Sequence, residues 1–201
     1  MDDFKKKAES IYGDIIILLD KGVKERKHPF HTPVFSNNTN GSFVDSRVVV
    51  LRKFDKNNLI LNFHTDLRSP KVSELKKNNN SSLLFYDSEI KIQLRIKTRS
   101  KINYQNKITR DAWEITNLSS RKCYLTQVSP SSKSSTPTDG IPAHLKGVDP
   151  SQIESEIGYN NFVVIQNQIL NIDWLYLSSK GHRRLKIIFD EYSPNFEWLI
   201  P

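Results

Sequence analysis

Ile90, Ile92, Leu94 and Ile96 alternate with Lys91, Gln93, Arg95 and Lys97, a period of two that suits a β-strand with one buried face and does not suit a helix. Gln93 and Arg95 then face solvent or a ligand. The runs 32–36, 43–54, 59–65, 82–86 and 90–101 read as strands separated by Asn, Gly and Lys turns. The runs 162–165, 168–177, 184–189 and 196–199 read as closing strands within a C-terminal unit spanning 162–201. Helices are few. Phe4, Ala8, Ile11, Ile15 and Leu18 recur at three- and four-residue steps in an N-terminal helix over 3–25, with Asp2 and Asp3 at its positive end and an expected role as a lid on the core. Further helical segments are expected from Ser69, over 106–125, and from Asp149-Pro150 to Glu156. Many strands in short antiparallel connections predict a mainly β fold with flanking helices, closed or partly closed as a barrel.

Arg47-Val48-Val49-Val50-Leu51-Arg52 is apolar and β-branched between two arginines, so it reads as a buried strand with a guanidinium at each end. With 59–65 and the turn-like Lys56-Asn57-Asn58 it predicts a hairpin. Asp66-Leu67-Arg68-Ser69 follows as a loop, with Ser69 as N-cap, Pro70 at the first helical position and Glu74 soon after. Unpaired N–H groups at a helix N-terminus, joined by the cations Arg47, Arg68 and Lys71, are suited to a phosphate monoester. A hairpin followed by a capped surface helix with solvated charges satisfies the same spacing.

With 201 residues, 37% hydrophobic and 26% charged, the chain is long enough for one sizeable core and is expected to form a single domain over 1–201. The lone Cys123 cannot form an intrachain disulfide, and the sequence shows no Cys/His cluster with metal-ligand spacing, so no metal is expected and a reducing cytoplasm fits. Its longest apolar run is Ile15 to Leu19; neither a secretory signal nor a membrane span is expected. A formal charge of +8 would suit a nucleic-acid binder, but the cations are scattered and no zinc-finger or RNA-recognition signature is present. The basicity is better matched to a small anionic ligand than to nucleic acid. Seven glycines without a G-x-G-x-x-G leave a Rossmann nucleotide site unsupported, and no Ser-His-Asp set or paired-carboxylate site competes. Residues 129–150 form a long Ser/Pro-rich loop, expected to be functional or mobile and to lie near a substrate mouth.

Arg47 to Arg52, Phe63-His64-Thr65-Asp66, Ser69-Pro70-Lys71 and Gln93-Leu94-Arg95-Ile96 resemble, in order and spacing, the flavin-binding core of the pyridoxamine 5'-phosphate oxidase family. Trp174, then His182 and Arg184 as His-x-Arg, then Trp198-Leu199-Ile200-Pro201 continue the resemblance to the C-terminus. It implies an FMN-binding split β-barrel acting as a homodimer, with the flavin at the subunit interface. Arg47 and Lys71 match positions that hold the FMN phosphate, and Thr65 matches a nearby hydroxyl. The backbone from Val48 to Leu51, including Val49 and Val50, would lie along the ring, and Gln93 would hydrogen-bond it. Trp174 and Arg184 match contacts from the neighbouring subunit. His64 stands where the family often has Tyr, and Pro70 where it can have an Arg, whose charge Arg68 could replace. On the substrate side, Arg52 and Arg121 match phosphate-gripping positions and His182 a substrate-contacting histidine. Lys180, Asn117 and Leu125 replace the family's Arg, Tyr and Ser. The resemblance implies an oxidase acting on pyridoxamine or pyridoxine 5'-phosphate, or on a related small anionic amine or alcohol. A split-barrel flavin reductase or a non-catalytic FMN-binding protein is the alternative.

Overall fold

A computed structural model describes residues 2–39, 41 and 43–201; the side chain of Asp2 lies outside the described residues. Helix α1 (Asp2–Lys24) lays Ala8, Ile15 and Leu19 on the core with no exposure, as its three- and four-residue spacing predicts. Phe4 departs from that expectation and is 66% exposed, because the helix begins beyond the edge of the core.

Nine strands follow among the described residues: β1 (Val34–Thr39), β2 (Phe43–Val48), β3 (Lys53–Asp55), β4 (Ile60–Asp66), β5 (Asn80–Asp87), β6 (Ile92–Asn103), β7 (Phe162–Tyr176), β8 (Arg183–Asp190) and β9 (Ser193–Leu199). They form one antiparallel sheet in the order β2-β1-β5-β6-β7-β4-β3, with β8 pairing β7 and β9 pairing β8. Strand β7 is one continuous 15-residue strand where two were expected. Its first half pairs with β4 and its second half with β8, while β6 runs along the other side. The sheet therefore divides at β7, and the described ladders do not close it into a complete barrel. Phe35, Phe63, Phe85, Leu94, Ile96, Ile172, Leu185 and Ile187 fill the interior. Each such side chain contributes roughly 1.5–3 kcal/mol of burial free energy.

The run 43–54, expected as one strand, is two strands with an irregular link. Pro33 lacks an N–H, so the β1–β2 ladder ends at the pair Val34–Val48, and Val49 N–H turns to Pro33 O at 3.0 Å. Arg47 to Arg52 is consequently no buried strand: Val49 and Leu51 point inward while Val48 is 65% exposed. The hairpin from β3 to β4 does form, with Phe54 opposite Leu61.

Helix α2 (Pro70–Lys77) starts where expected, although the Ser69 side chain makes no capping bond. The segment 106–125 is broken into α3 (Lys107–Glu114), α4 (Leu118–Arg121) and a 3-10 turn (Lys122–Leu125). Asn106 and Thr109 form a reciprocal capping box at the start of α3. Trp113 pins that helix to β7 through Tyr124, Phe162 and Val164. The short helix α5 (Gln152–Ser155) is capped by Ser151, two residues later than expected. The 129–150 loop packs through Leu145 and Pro150, with residues 131–139 exposed.

Candidate functional site

Alternation along β4 sends adjacent residues to opposite faces, and two polar groupings result. Thr65 lies on the face shared with Leu61 and Phe63, beside the first turn of α2. Lys71 Nζ donates to Thr65 Oγ1 at 3.1 Å. Arg47 approaches from β2, with its guanidinium 5.8 Å from the centre of the Phe35 ring and donating to Asn37 and Asp45. Asn37 in turn donates to Glu74 at 2.8 Å, which ties the strand edge to α2. Burial first, and then the neighbouring Arg47 cation, push the Lys71 amine below its ordinary pKa; Asp66, Glu74 and Asp45 only partly offset this. A bound anion would relieve that crowding. Ser69, whose hydroxyl has no hydrogen-bond partner among the described residues, and the α2 N-terminus complete the cradle. Its donor set fits a phosphate monoester.

Arg68 does not join this cradle. Its guanidinium is gripped by Asp66 at 2.7 and 3.0 Å and by Thr126 O and Oγ1 at 3.0 and 2.9 Å, so it fastens the loop before α2 to residue 126. Pro70, as the first residue of α2, shapes the backbone and brings no charge.

Between the strands, the backbone from Val48 to Leu51 is extended and only partly hydrogen-bonded. Val49 and Leu51 N–H groups are bonded to Pro33 O and His31 O, whereas that of Val50 has no partner among the described residues. Gln93 sits on the outer sheet face in a row with Tyr86, Leu175 and Arg184. Arg184 is held there by Asp173 at 2.7 and 3.1 Å, and Arg95 binds the same carboxylate at 2.7 Å. Burial opposes ionisation of Asp173, but these two arginines outweigh it and keep its carboxyl below the usual range. Trp174 pairs with Leu94 and Leu185 on the opposite, core face and stacks on Tyr176 at 6.4 Å. Within one chain, Trp174 and Arg184 therefore do not meet.

His64, next to Thr65 in sequence, points the other way. It lines a cleft of about 500 Å³ between α3 and the outer face of β4 and β7. Burial, and then the Arg52 charge, push its pKa down to about 3, so the ring is neutral near neutrality. Arg52, Arg26 and Lys53 also line the cleft, and Ile108, Ile115 and Val164 give it apolar walls. Asn117, which replaces the expected tyrosine, is at its border. Asn62 is 7% exposed, and its Oδ1 is the one buried side-chain polar atom without a partner among the described residues. Arg26, Lys53 and Asn62 escaped the sequence reading. The available signal was Asn62 itself, an amide on the apolar strand between Leu61 and Phe63.

The remaining substrate positions lie elsewhere. Arg121 is 2% exposed, and all five of its N–H donors are satisfied internally, by Thr116 O, Ser155 Oγ, Glu156 Oε1, Trp113 O and Glu114 O. Its guanidinium also lies 4.7 Å from the Trp113 ring centre. It braces α3 and α4, its donors engaged within the chain. Lys180 and His182 occupy the exposed turn between β7 and β8, where His182 Nδ1 accepts from Ser178 N–H at 3.0 Å. They do not border the cleft, and neither does any residue of 129–150.

An incompletely closed antiparallel sheet with flanking helices defines a protein of the FMN-binding split-barrel fold. Residues 17–103 match the sequence model of the pyridoxamine 5'-phosphate oxidase, FMN-binding domain family, which bears out the resemblance read from the motifs between Arg47 and Ile96. A pyridoxamine 5'-phosphate oxidase-related, FMN-binding protein from Nostoc punctiforme PCC 73102 is similar, with 17% identity, 94% of this chain and 96% of that chain covered, and a TM-score of 0.73. PhzG from Burkholderia lata 383, solved with tetrahydrophenazine-1-carboxylic acid, is 18% identical over 96% of this chain and 93% of that chain, with a TM-score of 0.66. A protein related to general stress protein 26 from Clostridium acetobutylicum is 12% identical over 90% of this chain and 98% of that chain, with a TM-score of 0.56. Comparison with curated proteins finds no match. Among the described residues, no helix is long and apolar enough to cross a membrane.

Proposed function

We propose that the chain binds FMN and is an oxidoreductase acting on a small anion. The observation that carries this reading is the Lys71–Thr65 contact beside Arg47 at the head of α2, where two cations crowd together on a ready anion cradle. Lys71, Thr65, Ser69 and Arg47 would hold the FMN phosphate, and the free Val50 N–H and Gln93 would meet the ring. When bound, the flavin would supply two-electron oxidation–reduction. The protein's own part is to seat the cofactor, present the cleft beside Arg52, and hold the substrate's anionic end.

Pyridoxamine or pyridoxine 5'-phosphate is the substrate suggested by the family, but the internal bonding of Arg121 favours a related small anion. A homodimer is part of the proposal. Gln93 and Arg184 share the outer sheet face with the exposed Val48, Leu84 and Tyr86, which suits a surface covered by a second copy. Titration with FMN tests the cofactor, with quenching of flavin fluorescence as the readout. A coupled assay of pyridoxal 5'-phosphate formation tests the vitamer substrate. Saturable FMN binding without vitamer turnover is the expected pair of results, and absence of FMN binding would refute the reading.

A further inference from the structure

The outer face of β6 carries a charge pattern that neither the cofactor cradle nor the cleft explains. Arg95, Lys97, Arg99 and Lys101 are all exposed, while Leu94, Ile96, Thr98 and Ser100 between them are buried. Cations that alternate along the chain are thus gathered by the pleat into one row, roughly 6.6 Å from each to the next and about 20 Å from end to end. Arg95 is engaged by Asp173, but the side chains of Lys97, Arg99 and Lys101 make no ion pair or hydrogen bond among the described residues. Their cross-strand neighbours are all uncharged: Ser82 and Asn171 flank Lys97, Asn80 and Gln168 flank Arg99, and Gln166 stands beside Lys101. Like charges in such a row repel one another, and an anion laid along them removes that cost. A neutral hollow lies beside the row. Strand β7 takes one extra residue where its register against β6 shifts, and that residue, Leu170, is left exposed. Leu170, Asn80, Ser82 and Lys97 line a hollow of about 340 Å³, and the side chains of Asn80 and Ser82 have no hydrogen-bond partner among the described residues.

We propose that this face binds a single strand of nucleic acid without reading its sequence: successive phosphates rest on Lys97, Arg99 and Lys101, and an unpaired base enters the hollow against Leu170 with its polar edge on Asn80 and Ser82. The spacing of the row is close to that of successive phosphates along an extended strand, and contacts to phosphates carry no sequence information. The hollow sets the preference for an unpaired strand, because the bases of a duplex are held in the stack and cannot enter it. The residues of this site belong to neither the cradle nor the cleft, so the inference does not rest on the flavin reading.

Fluorescence anisotropy of a labelled oligothymidine, titrated with the full chain over a range of salt concentrations, tests the assignment. The wild-type protein is expected to bind it about tenfold more tightly than a duplex of the same length, the worth of one seated base. Joint replacement Lys97→Glu, Arg99→Glu and Lys101→Glu should weaken binding at least about tenfold and make the slope of log K against log salt shallower by about 2, the counter-ion release of three phosphates on a single strand. A control with the same change of charge on α1, Lys5→Glu, Lys7→Glu and Lys21→Glu, should leave that slope in place. Thermal melts report on the fold of each variant, and the triple glutamine replacement of the row should show the same loss of slope should the glutamate variant not fold. Equal losses in the row and control variants would mean that general basicity holds the strand, and would overturn the proposal. Equal affinity for the duplex, or tighter binding of inorganic polyphosphate than of the oligothymidine, would overturn it as well.

Discussion

Lys71 Nζ and Thr65 Oγ1, 3.1 Å apart, join the first turn of helix α2 to the end of strand β4. The contact holds a cation at a place where burial and Arg47 disfavour its charge.

From that contact follows a separation of cofactor affinity from stability. Lys71→Ala is expected to weaken FMN binding by about 1.5–3 kcal/mol, the range for a charge-assisted contact, and Arg47→Ala to weaken it in the same direction. The apo protein should lose little stability from Lys71→Ala, because the lost Thr65 contact and side-chain packing are offset by removal of a charge that folding disfavours. Flavin titration and thermal melts of the same variant read the two effects. Unchanged FMN affinity in both variants would refute the phosphate cradle.

His64 gives a pH signature. Its pKa falls from an ordinary 6.5 to about 3 on folding, so between those values the unfolded chain holds a proton that the folded chain does not. Stability is therefore greatest above about pH 6.5 and declines as the pH falls toward 3, with this group contributing at most about 1.4 kcal/mol per pH unit. His64→Gln should flatten that part of the profile, measured by urea denaturation at a series of pH values. An unaltered slope would show that His64 is not held neutral.

Arg121 should behave as a brace. Arg121→Ala strips partners from Thr116, Trp113, Glu114, Ser155 and Glu156 at once, and a loss of about 3 kcal/mol or more is expected. FMN affinity should not change, since the cradle stands on the other face of β4. A variant of normal stability with a raised KM for phosphorylated substrates would return Arg121 to a substrate role.

The outer sheet face tests the dimer. Sedimentation should give a species near twice 23.3 kDa. Leu84→Asp, placed among Val34, Val48 and Arg95 on that face, should shift it toward monomer and lower FMN affinity together. A monomer that keeps tight FMN binding would exclude a shared site.

The sequence alone determined where most strands and the head of α2 lie, because period-two alternation and helix-start signals act over a few residues. Ile92 to Lys97, the β3–β4 hairpin and Pro70 at the head of α2 were legible for that reason. Tertiary structure decided what depends on pairing at long range. The end of β2 is set by the proline just before β1, and the internal bonding of Arg121 by carbonyls and side chains of α3 and α5. Most of all, it decided the faces: His64 and Thr65 are neighbours along the chain, yet the pleat of β4 sends one to the cleft and the other to the cradle. No local pattern reveals that the cleft gathers Arg26, Arg52 and Asn62, because they meet only once α3 and the end of α1 have packed beside β4.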